Sequence, residues 1–317
     1  MALRPKDIPE TAEAAAIGMA HLSHEASVLA AAMPRLVLEA RRIAASVQHG
    51  VHGRRRSGSG ENFWQYRRFT DGEPAARVDW RRSARDDHLY VREREWEAAH
   101  TVWIWPDLSA SMDYASPKLE PKRHRALVVA LALAELLVKG GERVGVPDIL
   151  RPTASRRIME RMAEQLLLAP NLPGSLPPLF HPSPLSEVVL LGDFWSPTPE
   201  VVARIEALAG TGAHGHVVQI VDPAEETFPF SGRIAFREPE GGASITVGRA
   251  ETWRADYETR VAAHREAIRA AANRLGWSFR VHRTDRPASE LLLALHMRMG
   301  VGNAGAPLTP DPTETRA

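Results

Sequence analysis

Asp107, Ser109 and Ser111 stand at alternate positions directly after the apolar run Thr101–Trp105. Alternate residues in a loop can turn one carboxylate and two hydroxyls toward a common point. Oxygen-only ligands of that kind suit a hard cation such as Mg2+, Mn2+ or Ca2+. Two neutral hydroxyls also leave room for water and an incoming carboxylate. A second acid, Asp193, follows the run Glu187–Leu191 and is placed to complete such a site through water. The plainer reading is that Ser109 or Ser111 caps a helix and Asp107 closes a turn. The chain contains no cysteine, which excludes thiol nucleophiles, Cys-ligated zinc and iron–sulfur clusters.

Strand and helix alternate from residue 100 onward. Thr101–Trp105, Arg143–Ile149, Glu187–Leu191, Gly215–Val221 and Trp277–His282 read as strands. Helices are expected over Pro121–Lys139, Ser155–Leu168, Thr198–Leu208, Glu251–Leu275 and Ala288–Met297. Residues 233–248 suggest a hairpin that turns at Gly241–Gly242. Apolar strands separated by helices imply an α/β fold with a doubly wound, mostly parallel sheet. Ligands then bind beyond the carboxyl ends of the strands, which singles out Asp107–Ser111, Asp193–Ser196 and Asp222. Ahead of this region, residues 11–48 read as an amphipathic helix that Pro34 kinks or splits. Residues 50–99 read as a small β-rich insert, 100–299 as the main domain, and 300–317 as a disordered Gly/Pro/Thr-rich tail.

The 317 residues are 44% hydrophobic and 25% charged, as in a folded globular protein. Basic and acidic side chains nearly cancel, 40 against 39, and arginine makes up all but four of the basic ones: Lys6, Lys118, Lys122 and Lys139. This balance argues against nucleic-acid binding by the whole chain. The N-terminal segment carries Asp7, Glu10 and Glu13 and has no continuous apolar core. The longest apolar stretch, Ala126–Val138, is too short for a bilayer and contains Glu135. A cytoplasmic location without a membrane span is expected.

Residues 60–97 carry a more specific signal: Gly60, Phe63, Arg67, Asp71–Gly72–Glu73, Arg77, Val78–Asp79–Trp80, Ser83–Ala84–Arg85, Leu89, Val91, Glu93 and Glu95. This series resembles the hallmark segment of the domain of unknown function 58 family. Glu73 replaces the usual aspartate and Val78 the usual isoleucine. Asp222–Glu226 with Pro229–Phe230 and Gly232, and Leu275–Gly276–Trp277, resemble a bacterial branch of that family. The resemblance covers residues 50–298. It implies that the main domain is of von Willebrand factor A (Rossmann-like) type and that Asp107, Ser109 and Ser111, supported by Asp193, form a metal-ion-dependent adhesion site. The family motif places a threonine on a middle loop, where this sequence offers only Thr153.

The resemblance further implies a non-enzymatic adaptor that works with a MoxR-type AAA+ ATPase and an unknown client in assembling or activating protein complexes. Mg2+ would be held by the site, and a partner carboxylate would fill its open position. Within the hallmark segment, Arg67, Arg77, Asp79, Trp80, Ser83, Arg85 and Glu93 are expected to be structural, with Arg77, Asp79 and Arg85 pairing internally. Arg54, Arg55 and Arg56 offer a candidate partner surface. Two other functions compete. Asp107 and Asp193 could orient water in a metal-dependent phosphohydrolase, although no general base stands beside them. Arg54–Arg56, Arg67–Arg68 and Arg81–Arg82, interleaved with Trp64, Tyr66 and Trp80, could bind nucleic acid.

Overall fold

The computed structural model describes residues 34–48, 63–70, 78–85, 87–94, 100–169, 175–239, 241–242 and 244–302. Two compact units are present, one within residues 50–99 and one formed by 1–49 with 100–317. In the smaller unit, β1 (Phe63–Arg68) pairs antiparallel with β2 (Tyr90–Arg94). Between them lies the short helix α2 (Trp80–Ser83), capped by the Asp79 carboxylate, which accepts from the Arg82 N–H.

The larger unit is α/β. Its six-stranded sheet has the order β10-β7-β6-β3-β4-β5. The strands are β3 (Thr101–Pro106), β4 (Arg143–Val146), β5 (Leu150–Thr153), β6 (Glu187–Gly192), β7 (His214–Val221) and β10 (Ser278–Arg283). All neighbours run parallel except β5, which pairs antiparallel with β4. β5 lay in what the sequence reads as the exit from a single strand over Arg143–Ile149. Pro152 hid it: proline cannot donate to a ladder, and it fits a sheet at an edge strand such as this one.

Helices cover both faces. α3 (Lys122–Lys139) is buried at every residue from Ala126 to Ala134, because sheet and helices enclose it on all sides. It packs against α4 (Ile158–Leu168) and α8 (Ala288–Gly302). The described N-terminal helix, α1 (34–48), buries Leu36, Val37, Ala40, Ala44 and Val47 at three- and four-residue steps. Glu39 of α1 reaches His124 of α3 at 2.9 Å, and Arg41 pairs with Glu160 of α4. Pro34 is the first described residue of α1. Residues 11–33 of the expected helix and the expected disordered tail beyond Gly302 lie outside the described residues.

On the other face, α5 (Thr198–Ala209) and α7 (Arg254–Arg274) enclose a core of Trp105, Val188, Leu190, Phe194, Ile205, Val217, Ile268 and Trp277. Trp277 is 1% exposed, and its indole N–H donates to the Ala213 carbonyl at 2.9 Å. Gly215 makes that packing possible, since a Cβ there would lie 2.1 Å from the indole ring. A short helix, α6 (Pro223–Thr227), follows β7, and the hairpin β8 (Ile234–Arg237)–β9 (Ser244–Val247) precedes α7. None of the described helices is long and apolar enough to cross a membrane.

This order creates one reversal. The chain begins the sheet at β3, moves outward through β4 and β5, then returns to the other side of β3 to build β6, β7 and β10. A crevice opens at such a reversal, beyond the carboxyl ends of the two flanking strands. Asp107 follows β3 and Asp193 follows β6.

Candidate metal centre

Asp107 and Asp193 are fully buried and Ser109 is 2% exposed. Asp107 is tied to the end of β6 by its own N–H, which donates to the Leu191 carbonyl at 2.8 Å. Gly192 permits this approach, since a Cβ at that position would lie 3.1 Å from the carboxylate oxygen Oδ2. The other oxygen, Oδ1, accepts the Ser109 N–H at 2.8 Å and fixes the loop that turns the serines inward. Arg123 holds the same loop from outside, donating to the carbonyl of Leu108 at 2.7 Å.

The hydroxyls continue the chain of contacts. Ser109 Oγ and Ser111 Oγ are 3.2 Å apart, and Ser111 donates to Asp193 Oδ2 at 2.7 Å. Ser111 donates to Asp193, and Ser109 is able to donate to Ser111. Four of the residues singled out in the sequence thus meet: Asp107, Ser109, Ser111 and Asp193. The turn of the plainer reading is present, closed by the Asp107 carboxylate on the Ser109 N–H, but its serine cap on a helix is not seen among the described residues. Ser109 precedes the 3-10 turn Ala110–Asp113 without any side-chain cap bond.

Thr153 does not join them. It is the last residue of β5 and pairs with Val144, which in turn pairs with Val102 at the start of β3. Because β5 runs antiparallel, its end lies at the opposite margin of the sheet, offset from Asp107 by about one strand length, roughly 16 Å, along the strands and by two strands to the side. The threonine position is corrected on that ground.

Two residues that the sequence did not single out as ligands complete the cluster. Lys122, with no exposed surface, donates to Asp193 Oδ2 at 2.9 Å and to Glu225 Oε1 at 2.5 Å. Glu225 is itself positioned by the start of α6. Asp222 accepts from the Ala224 N–H while Glu225 accepts from the Asp222 N–H, forming a reciprocal cap. Asp222 also accepts the Ser116 N–H at 2.8 Å, so this strand-end acid acts structurally.

The electrostatics follow from burial. Burial and the neighbouring Asp193 push the Asp107 pKa up to about 7, with Ser109 and Lys122 opposing. Burial disfavours the Lys122 ammonium, but Asp193 and Glu225 outweigh it and raise the pKa. Burial also raises Glu225, against the pull of Lys122. The buried Oδ2 of Asp107 has no hydrogen-bond partner among the described residues. A buried carboxylate oxygen in that state calls for a proton or a cation. Ionised, the three acids and one ammonium leave two negative charges, which a divalent ion would balance. The donor set is oxygen only, so the residues present fit a hard cation.

The other named positions lie elsewhere. In the smaller unit, Ser83 Oγ donates to the Asp79 carbonyl at 2.9 Å and accepts the Tyr90 N–H at 2.9 Å, while Trp80 and Arg85 are exposed. Arg85 lies in the turn after α2 with its side chain exposed, and the acids of residues 71–77 and 95–97 that it is expected to pair with lie outside the described residues. Arg67 and Glu93 occupy β1 and β2. Arg54, Arg55, Arg56 and Arg77 lie outside the described residues.

A family model described as protein of unknown function DUF58 matches residues 65–267. Uncharacterized proteins of Mycobacterium bovis and Mycobacterium tuberculosis are each 27% identical over 281 residues, covering 81% of this chain and 86% of the relative. Among solved structures, an aerotolerance-related membrane protein from Bacteroides fragilis is 19% identical with a TM-score of 0.38. A conserved hypothetical protein, BatB from Bacteroides thetaiotaomicron, is 18% identical with a TM-score of 0.36. Each of these covers 64% of this chain and 100% of the other.

Proposed function

The chain belongs to the DUF58 family, and from that premise we propose that it is a non-enzymatic, metal-dependent protein-interaction adaptor whose main domain is of von Willebrand factor A type. One observation carries the reading. Asp107, Ser109 and Ser111, with Asp193 behind them, converge at the sheet reversal with a buried Asp107 oxygen that is unpartnered among the described residues. These residues would hold Mg2+, or Mn2+ or Ca2+ in its place, and the bound ion would supply a Lewis acid for a partner's carboxylate.

Each residue has a distinct task in this reading. Asp107 would hold the cation with its carboxylate, and the two serine hydroxyls would add neutral oxygens that keep the local charge low enough to accept another carboxylate. Asp193 orients Ser111 and acts at one remove. Lys122 holds Asp193 and Glu225, so neither turns away from the crevice. The partner's Asp or Glu meets the site at its Ser111 side, the part of the cluster with exposed surface. The partner we propose is a MoxR-type AAA+ ATPase acting on a client complex, in the cytoplasm.

The test is capture of purified MoxR-type ATPase by the full chain in Mg2+ and in excess chelator, with wild type and Ser109→Ala. Retention in Mg2+ and loss with chelator or in the variant supports the reading. Equal retention in all arms overturns it. Turnover of a generic phosphoester that disappears in Asp107→Ala would favour a phosphohydrolase instead.

A further inference from the structure

We infer that the free edge of β10 is a docking groove for an extended acidic peptide, separate from the metal centre. Among the described residues β10 pairs only with β7, so its outer edge presents backbone N–H and C=O groups that no described strand engages. Two cavities lie along that edge. One, of about 320 Å³, is lined by consecutive residues Arg280–Arg283 of β10 together with Arg286 and Glu290. The other, of about 210 Å³, is lined by Ser278, Phe279 and Arg280 with Arg298 of α8. Successive strand residues face opposite sides of a sheet. Cavities lined by consecutive residues therefore wrap the edge itself, and Arg280 joins the two into one track.

The charge of the track selects its occupant. Arg283 is held by Asp285 at 3.0 and 2.6 Å, and Glu226 is held by Arg265 at 2.7 Å. Arg280 and Arg298 are exposed and make no salt bridge among the described residues, and exposed Arg286 makes none either although its charge acts on neighbouring Asp285. Glu290 is the one acid lining either cavity that no arginine engages among those residues. His282 lines the larger cavity and its buried Nε2 has no partner. Exposed arginine on an edge strand is also a known guard against edge-to-edge pairing, but a guard needs no cavity around it. Here guanidiniums border concave space beside open backbone groups. That combination suits a strand added by main-chain hydrogen bonds, with acidic side chains meeting the arginines.

The probe is a fluorescein-labelled octapeptide of alternating glutamate and valine, titrated into the full chain and followed by anisotropy. Saturable binding is expected, at least tenfold weaker for the Arg280→Ala/Arg286→Ala double variant and for the matching glutamine–valine peptide. Circular dichroism confirms that the variant, altered only at exposed side chains, remains folded. Excess chelator and Asp107→Ala should leave the affinity unchanged, which separates this result from the fate of the metal reading. No saturation, or equal affinity for the variant or the glutamine peptide, overturns the proposal.

Discussion

Asp107 is where burial and charge conflict most directly. An unfolded aspartate titrates near 3.9, whereas in the fold burial and Asp193 raise Asp107 to about 7. The folded state therefore holds the extra proton between those values, and without a cation stability must fall as pH rises through that window. The full displacement corresponds to roughly 4 kcal/mol. Thermal melts in chelator should show this decline for wild type and a flatter profile for Asp107→Asn, which should be the more stable protein above pH 7. Added Mg2+ should raise the wild-type melting temperature at pH 8 and leave Asp107→Asn unmoved. Lys122 poses the opposite problem. Lys122→Met strands Asp193 and Glu225 in the interior and should cost about 3–5 kcal/mol in urea unfolding at pH 7. A cost under about 1 kcal/mol would show that the ammonium is not the tie between them. The ligand residues could be read in the sequence because each follows an apolar strand. Lys122 could not, since it opens a helix as a solvent-facing residue would, and its partners arrive 71 and 103 positions later. Two signals were available: lysine is rare in this chain, and Asp222–x–x–Glu225 has the spacing of a helix cap.

At the scale of elements, periodicity located the parallel strands and long helices to within a few residues. It missed β5, where Pro152 interrupts a short edge strand. It also placed the start of α4 at Ser155, whereas the helix begins at Ile158 after Arg157. The missed strand matters for chemistry, because its antiparallel direction removes Thr153 from the crevice. Thr153→Ala should accordingly leave the Mg2+-induced rise in melting temperature at its wild-type value, while Ser109→Ala abolishes it. Loss of the response in Thr153→Ala would mean that the strand assignment misplaces the residue. The hallmark segment was legible in a different way. Asp79 serves as a helix cap and Ser83 as a turn anchor, structural roles of the kind the sequence suggested without specifying their form.

For the molecule as a whole, near-neutral charge proved compatible with strong local asymmetry. Three acids and one lysine gather at the reversal, while unengaged arginines border the β10 edge. Both features belong to one mostly parallel sheet, the first at the carboxyl ends of its central strands and the second at its free side. On the proposed reading, the two surfaces would meet one partner from the same sheet. The claim on which this depends is that the residues at the reversal bind a divalent cation. Calorimetric titration of Mg2+ into the full chain at pH 7, in two buffers of different ionisation enthalpy, measures it directly. The account predicts one saturable site whose heat depends on the buffer, because the cation displaces the proton that burial holds on Asp107, and no site in Asp107→Ala. Absence of binding to wild type, or an undiminished site in Asp107→Ala, would contradict it.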